Sequence, residues 1–465
     1  MKITAVKTLA SWAGLRNWVL VKIETDTELY GWGEATLEGK EEVVMAQIEK
    51  MGRALIDQDP LRVEHIWQQL YRHMFWRGGP VHNSALSGLD QALWDLRGRA
   101  WGVPVYQLLG GRVRDYIRLY THVGIYQPEC MVEDAQRDVE DGFTAMKTGA
   151  WAGDGRLPER ERVAAFAERI GKLRKTVGDG VDIMVDDHGR GTPSSAVRLM
   201  QALAPFDLFF LEESVQPDDL EGLVRLRAAN PPMDLAAGER LYSKWDYRPI
   251  LEKRLLDVIQ PDLCHAGGIS EVKKIAALAE AYYVQIAPHN PQGPLSTAAA
   301  AHLGMATPNF LLLEYVRQEP YRDQAMREHW PVEEGRLTVP DRPGLGVELD
   351  EYRRLQGQSP YLLNTSLVYK RNVSELSLFY NFQGKTLMFV GNDDVSDVFS
   401  VPFHSLNLIA RKSFGNGDKQ QIQLEVQNIL GDVREVQYEF FNADPVLFSQ
   451  RRLGRTFAVT YRIQL

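Results

Sequence analysis

The sequence predicts an α/β protein in three parts: an α+β domain over residues 1–114, a (β/α)8-type parallel barrel over 115–353, and an all-β antiparallel segment over 354–465. Three observations carry this. Helical and strand periodicities mix in the first part, short apolar runs alternate with amphipathic helices in the second, and period-two alternation without helices fills the third. The bulk composition agrees with a folded chain. Of 465 residues 44% are hydrophobic and 25% charged, which excludes disorder or a collagen-like repeat for the whole chain. A net charge of −9 argues against a nucleic-acid backbone as main partner. Two cysteines, Cys130 and Cys264, cannot build a disulfide scaffold and suit a reducing compartment. No Sec-type apolar region with a small-residue cleavage site opens the sequence, and no run of about 18 apolar residues occurs. The expectation is a cytoplasmic protein with no functional membrane insertion.

In the first part, RNWVLVKIETDTELYGWGEA alternates as a hairpin does. EEVVMAQIEKMGRALI, PLRVEHIWQQLYRHM and SALSGLDQALWDLRGRA then carry apolar residues at helical spacing. From about Tyr116 eight short apolar runs follow: IRLYTHVG, TAMKTG, DIMVDDH, LFFLEES, DLAAGE, DVIQPD, VQIAPH and NFLLLE. Helical or capping segments such as PSSAVRLMQALA and GISEVKKIAALAEAYY separate them, as a parallel barrel of buried strands requires. Nearly every run finishes in an ionisable residue: Lys147, Asp186 and His188, Glu212, Glu239, Asp262, His289, Glu314. A single polar strand end is ordinarily where a strand meets solvent. Seven successive ends are better explained by an active site, because barrel sites form at the C-terminal ends of the strands.

Asp186, Glu212 and Glu239 are spaced by 26 and 27 residues, about one βα unit each, which predicts three carboxylates on three neighbouring strand ends. Converging anions need a cation, and an oxygen-lined set of three suits Mg²⁺. A salt-bridging Lys or Arg is the alternative occupant; Arg240, next to Glu239, should point the other way by strand alternation. His188, two residues after Asp186, should share its face if the strand continues. Asp262 and His289 end neighbouring runs, and a carboxylate beside an imidazole makes a general base. Glu314 is open between hydrogen-bonding developing charge as a neutral acid and pairing with a nearby cation.

These segments, with SGLDQALWDLRGRAWGVPVYQLLGG, GFTAMK, VDDHGR, FLEES, GERL, QPDLCHAGGIS and APHNPQGPLSTAAAAHL, resemble the enolase superfamily. Within it they are most similar to the mandelate racemase-like branch and its D-galactonate dehydratase group, from Met1 to about Leu349. The resemblance implies a capping domain on a TIM barrel, an acid-sugar substrate and a homo-oligomer. It implies Mg²⁺ ligands at Asp186, Glu212 and Glu239, the D-x-H acid at His188, the His–Asp base pair at His289 and Asp262, and the eighth-strand acid at Glu314. FWRGGPV around Arg77 matches that group's capping domain, whose stretches near Trp12–Trp18 and Arg77–Val81 are expected to read the substrate. Two departures occur: Ser214 stands where a proline is usual, and the second-strand Lys-x-Lys of racemases reads Lys147-Thr148-Gly149. The second disfavours racemisation and leaves Lys147 to help bind a carboxylate. The implied reaction is removal of the proton α to a carboxylate and loss of the 3-hydroxyl, giving a 2-keto-3-deoxy sugar acid. A racemase, epimerase or cycloisomerase on the same scaffold is the alternative.

The last part differs. LLNTSLVYK, ELSLFYNFQ, KTLMFVG, HSLNLIARKSF, QIQLEVQNILG, REVQYEFF and RTFAVTYRIQL alternate polar and apolar residues, with GNGD as a turn signal. With its Q-G-Q-S-P-Y and V-Q-N-I-L blocks, about Leu355–Leu465 resembles the last strands of a TonB-dependent outer-membrane receptor barrel. Six or seven strands fall short of the smallest, eight-stranded membrane barrels. The tail therefore reads as a fused fragment with exposed apolar strands; an independent small β-sandwich is the alternative, and a receptor or transport fragment the competing function.

Overall fold

A computed structural model describes residues 1–13, 16–125, 127–150, 158–317, 325–349, 362–389, 398–415, 419–438, 446–452 and 454–463. The expected seam at 353/354, the Q-G-Q-S-P-Y block and most of the GNGD turn lie outside the described residues. The chain forms two compact units, Met1–Asp350 and Glu351–Leu465.

The first unit opens with an antiparallel sheet, β1 (Ile3–Trp12), β2 (Asn17–Thr25) and β3 (Tyr30–Glu34). The expected hairpin is its last two strands; β1 adds a third. Helices α1 (Glu41–Arg53), α2 (Val63–Tyr71) and α3 (Pro80–Trp101) pack on it around a core including Val21, Ile48, Trp67 and Leu89. Pro80 opens α3 where a missing N–H costs nothing, and Gly102 closes it at φ +68, a conformation that favours glycine. A single-turn α4 (Val105–Leu108) leads into the barrel.

The eight barrel strands are β4 (Ile117–His122), β5 (Ala145–Gly149), β6 (Asp182–Asp186), β7 (Phe210–Glu212), β8 (Asp234–Ala237), β9 (Val258–Ile259), β10 (Gln285–Ile286) and β11 (Leu313–Glu314). Between them run α5 (Met131–Glu140), α6 (Glu159–Val177), α7 (Pro193–Leu203), α8 (Leu220–Ala228), α9 (Lys244–Glu252), α10 (Gly268–Glu280) and α11 (Pro294–Met305). β4 to β10 pair in parallel, a parallel bridge Ile286–Phe310 carries β10 to the last strand, and β11 closes on β4. One side chain per strand region fills the interior: Tyr120, Ala145, Met184, Phe210, Ala236, Val258, Ala287 and Leu312. Two residues beyond six of these, on the same strand face, lie His122, Lys147, Asp186, Glu212, His289 and Glu314. A hairpin, β12 (Val332–Glu333) and β13 (Arg336–Leu337), pairs antiparallel with β4.

The second unit holds a five-stranded antiparallel sheet of β14 (Leu362–Arg371), β15 (Ser374–Gln383), β18 (Phe403–Phe414), β19 (Gln420–Gln427) and β22 (Thr456–Ile463). A four-stranded sheet holds β16 (Thr386–Phe389), β17 (Val398–Ser400), β20 (Arg434–Tyr438) and β21 (Val446–Arg451). The expectation of six or seven strands is corrected to nine among the described residues. β17 and β21 were missed because VFS and VLFSQR are too short or too weakly alternating to signal a strand.

Candidate active site

A cleft of about 480 Å³ opens at the C-terminal mouth of the barrel. His122, Lys147, Asp186, His188, Glu239, His265, His289 and Glu314 line it from the barrel, and Arg16, Leu37, Glu38, Lys40 and Pro80 from the first domain. Of the residues expected to do the chemistry, Lys147, Asp186, His188, Glu239, His289 and Glu314 line this mouth, and Glu212 and Asp262 contact it through Lys147 and His289. Asp186 and Glu212 are register partners on β6 and β7, and Glu239 lies two residues past β8.

The cation among these carboxylates is Lys147. Its buried ammonium stands 2.7 Å from Glu314, 3.0 Å from Glu212 and 3.5 Å from Asp186. Burial favours its neutral form, but Glu212 and Glu314 outweigh that and hold it charged. Arg240 instead makes a paired contact with Glu213 (2.8 and 2.7 Å), but it lines the same cleft as Glu239, because β8 ends at Ala237 and strand alternation does not reach these two residues. Asp186 stays ionised, at about 2, because Lys147 and His188 outweigh its burial. Burial and Asp186 push Glu212 upward against the pull of Lys147, so the three acids are short of positive charge.

His188 reaches the site by a different route from the one expected. β6 ends at Asp186, whose carboxylate accepts the His188 backbone N–H at 3.0 Å and turns the chain, leaving His188 at φ +50. The side chain folds back so that Nε2 stands 2.9 Å from Asp186 Oδ2. That contact raises the His188 pKa against its partial burial. Arg240 also donates to the His188 carbonyl at 3.1 Å, fixing the turn.

Across the cleft, His289 Nδ1 lies 2.7 Å from Asp262 Oδ2. Asp262 is held ionised, against burial, by His265 and His289. Nδ1 therefore carries the hydrogen and Nε2 faces the cleft, 3.4 Å from Glu239 Oε2. Burial opposes a second proton on His289, yet Glu239, Glu314 and Asp262 push it up to about 10. Glu314 is likewise ionised despite burial, chiefly through Lys147. It pairs with Lys147, accepts the Asn290 N–H at 2.7 Å and sits 2.5 Å from His122 Nε2, so the cation-paired form is the one present.

Two histidines were missed. His122 ends the first strand as Lys147 ends the second, and that parallel could have found it. His265 stands 3.5 Å from Asp262 and 3.0 Å from Ser84 of α3; only its place three residues after Asp262 hints at it. Of the stretches expected to read the substrate, Arg16 and Pro80 line the cleft, Gly14 and Leu15 lie outside the described residues, and Arg77 instead donates to the Arg72 carbonyl at 3.5 Å.

Residues 4–110 match the mandelate racemase/muconate lactonizing enzyme N-terminal domain, and 130–353 the enolase C-terminal domain-like family. The chain belongs to the enolase superfamily. As an enolase-superfamily enzyme it is 41% identical over 360 residues to a D-galactonate dehydratase of Variovorax paradoxus, covering 76% of this chain and 93% of that one. It is 40% identical over 358 residues to one of Pectobacterium atrosepticum, with the same coverages. A solved enolase from Pantoea ananatis, with bound D-gluconate and Mg, superposes with a TM-score of 0.70 at 32% identity, covering 75% of this chain and 93% of that chain. Both superfamily domains end before the tail strands begin.

Proposed function

We propose that this enolase-superfamily chain is a Mg²⁺-dependent hydro-lyase acting on an acid sugar of the D-galactonate kind. The observation that carries the reading is a pair of differently supported imidazoles, His188 on Asp186 and His289 on Asp262, with His289 Nε2 3.4 Å from Glu239 Oε2 and a His188 ring nitrogen within 4.8 Å of that carboxylate. The naming of the two relatives as D-galactonate dehydratases supports it.

The donor set fits a divalent cation. Glu239 Oε2 is buried and accepts no hydrogen bond. One ligand atom each from Asp186, His188 and Glu239 lies within 4.8 Å of the others, with Glu212 beside them on β7. Asp186, Glu212 and Glu239 would hold Mg²⁺, which when bound supplies a Lewis acid toward a carboxylate. In that reading His289 Nε2 takes the α-proton while Asp262 keeps Nδ1 protonated. Glu239, Glu314 and Asp262 are the charges that favour a second proton on His289, and a cation held by Glu239 would weaken the largest of them. His188, raised toward its protonated form, delivers a proton to the departing 3-hydroxyl, which leaves as water. The enol tautomerises to the 2-keto-3-deoxy acid. Lys147 would help bind the substrate carboxylate, and Glu314 serves as its paired anion. The alternative racemase or epimerase reading is weaker, because the only lysine of Lys147-Thr148-Gly149 is occupied by three carboxylates.

Screening aldonic acids for 2-keto-3-deoxy products identifies the substrate. His289→Ala should lower dehydration by about 10²–10⁴-fold and abolish α-proton exchange with D₂O, whereas His188→Ala should lose dehydration and retain exchange. Dehydration at the wild-type rate in His289→Ala would overturn the assignment. We further propose a cytoplasmic location, a reading supported by the two unpaired cysteines, and a homo-oligomer, which rests on the family resemblance alone. No helix among the described residues is long and apolar enough to cross a membrane. For the tail we keep the outer-membrane receptor-like reading, supported by the outward apolar residues Phe457, Val459, Tyr461 and Ile463 on alternate positions of β22.

A further inference from the structure

Resting on the dehydratase reading, we propose that Glu34, the last residue of β3, is a positioning residue that holds both loops of the His289–Asp262 pair. Glu34 is fully buried. Its Oε1 accepts the Gly293 N–H at 2.7 Å and the Thr36 hydroxyl at 2.7 Å, and its Oε2 accepts the Ser296 N–H at 3.0 Å. Gly293 and Ser296 open α11, where backbone N–H groups have no partner within the helix and the positive end of its dipole favours an anion. The approach is close: a Cβ on Gly293 would meet both Glu34 oxygens at 2.8 Å.

The three residues between His289 and Gly293 inherit this anchorage. Ser296, whose amide Glu34 takes, donates its hydroxyl to Asn290 Oδ1 at 2.8 Å, and Asn290 donates its side-chain amide to Thr297 at 3.0 Å. Asn290 is the residue next to His289. The second loop is reached from the same residue. The Glu34 carbonyl accepts the Cys264 thiol at 3.3 Å, and the Cys264 N–H donates to Asp262 Oδ1 at 2.5 Å. Gln91 of α3 ties the two together, accepting the Glu34 N–H at 3.1 Å and donating to the Leu263 carbonyl at 3.0 Å. One side of the first domain thus sets the position of His289 through the carboxylate of Glu34, and that of Asp262 through its main chain. Only the carboxylate arm is removed by substitution at residue 34.

Asp90 supplies the comparison. It comes from the same domain and caps the neighbouring helix, accepting the Ser270 N–H at 2.9 Å and the Ser270 hydroxyl at 2.5 Å. It touches neither loop residue adjoining the pair.

The test uses the full-length, Mg²⁺-loaded protein and its Glu34→Ala, Glu34→Gln and Asp90→Asn variants. Glu34→Ala should lower kcat about 100-fold with KM within about twofold, the size expected of an ångström-scale displacement of a catalytic group. α-Proton exchange should fall in step, and hydrogen–deuterium exchange of the 289–297 amides should speed up while other barrel segments keep their protection. Glu34→Gln, which keeps an acceptor oxygen, should recover part of both, and Asp90→Asn should leave kcat near wild type. Unchanged kcat, or unchanged protection of 289–297, in a folded Glu34→Ala overturns the proposal. So does an equal kcat loss in Asp90→Asn, which would make the effect general to the docking of the two domains. Should Glu34→Ala not fold, Glu34→Gln decides through the same two readouts. The amide exchange needs no substrate, so it still judges the clamp if no acid sugar is dehydrated and the functional reading fails.

Discussion

In the barrel, β7 contributes Phe210 to the interior and Glu212 to the mouth, and both are fully buried. In the tail, β22 is more than twice as long, yet Phe457 and Val459 are 73% and 74% exposed. Both strands alternate. The barrel closes on itself and packs helices around its outer face, so even its polar strand ends lie in a protein interior where they must be paired. The five-stranded tail sheet aligns Leu424 with Val459 and Ile422 with Tyr461 on one face, and these side chains stay 38–74% exposed. Apolar alternation makes a face; only closure or a covering layer makes a core.

Four experiments bear on this contrast, from the largest effect down. Lys147→Met in metal-free protein removes the ammonium shared by Glu212, Glu314 and Asp186, and should cost about 3–5 kcal/mol as an uncompensated buried charge. Denaturant unfolding read by tryptophan fluorescence reports on this unit alone, since all ten tryptophans precede residue 351. Phe210→Ala should cost about 3–5 kcal/mol by the same measurement, through the cavity it opens inside the barrel. A loss under about 1 kcal/mol would mean that the barrel interior is not packed as described.

The third is a pH dependence. Buried His302 accepts the Tyr106 N–H at Nδ1 (3.2 Å) and donates from Nε2 to the Leu345 carbonyl (3.1 Å), so its neutral form is the one built in. Burial lowers it from 6.5 to about 4 against the Leu345 bond. The unfolded chain then takes up the proton first, so stability is full above about 6.5 and falls as pH drops from 6.5 toward 4, by up to about 3 kcal/mol. Urea midpoints across that range check it, and His302→Gln should flatten that part of the slope. The smallest effect lies in the tail. Phe457→Ala should change stability by less than about 0.5 kcal/mol, while Val459→Lys should reduce concentration-dependent light scattering by breaking the exposed apolar edge. A core-sized loss for Phe457→Ala would show that this face is covered.

Much of the site was legible in the sequence because strand alternation places a mouth residue two positions after an interior one. Lys147 after Ala145, Asp186 after Met184, Glu212 after Phe210, His289 after Ala287 and Glu314 after Leu312 all follow that rule. His122 after Tyr120 follows it too and was readable on the same ground. His188 obeys a local rule instead, a carboxylate capturing its own loop, which strand periodicity does not encode. The tail's strand count was short because β17 and β21 are formed by pairing with neighbours rather than by a pattern of their own.

The sequence by itself determined the order of strands and helices and the chemical types at the barrel mouth, because both depend on short-range periodicity of side-chain direction. Tertiary structure alone decided which charges meet. Lys147 lies 65 residues from Glu212, and Glu34 lies 259 from Gly293. Contacts at such separations arise when closure of the barrel and docking of the first domain remove these groups from water, and burial then requires each charge to find a partner.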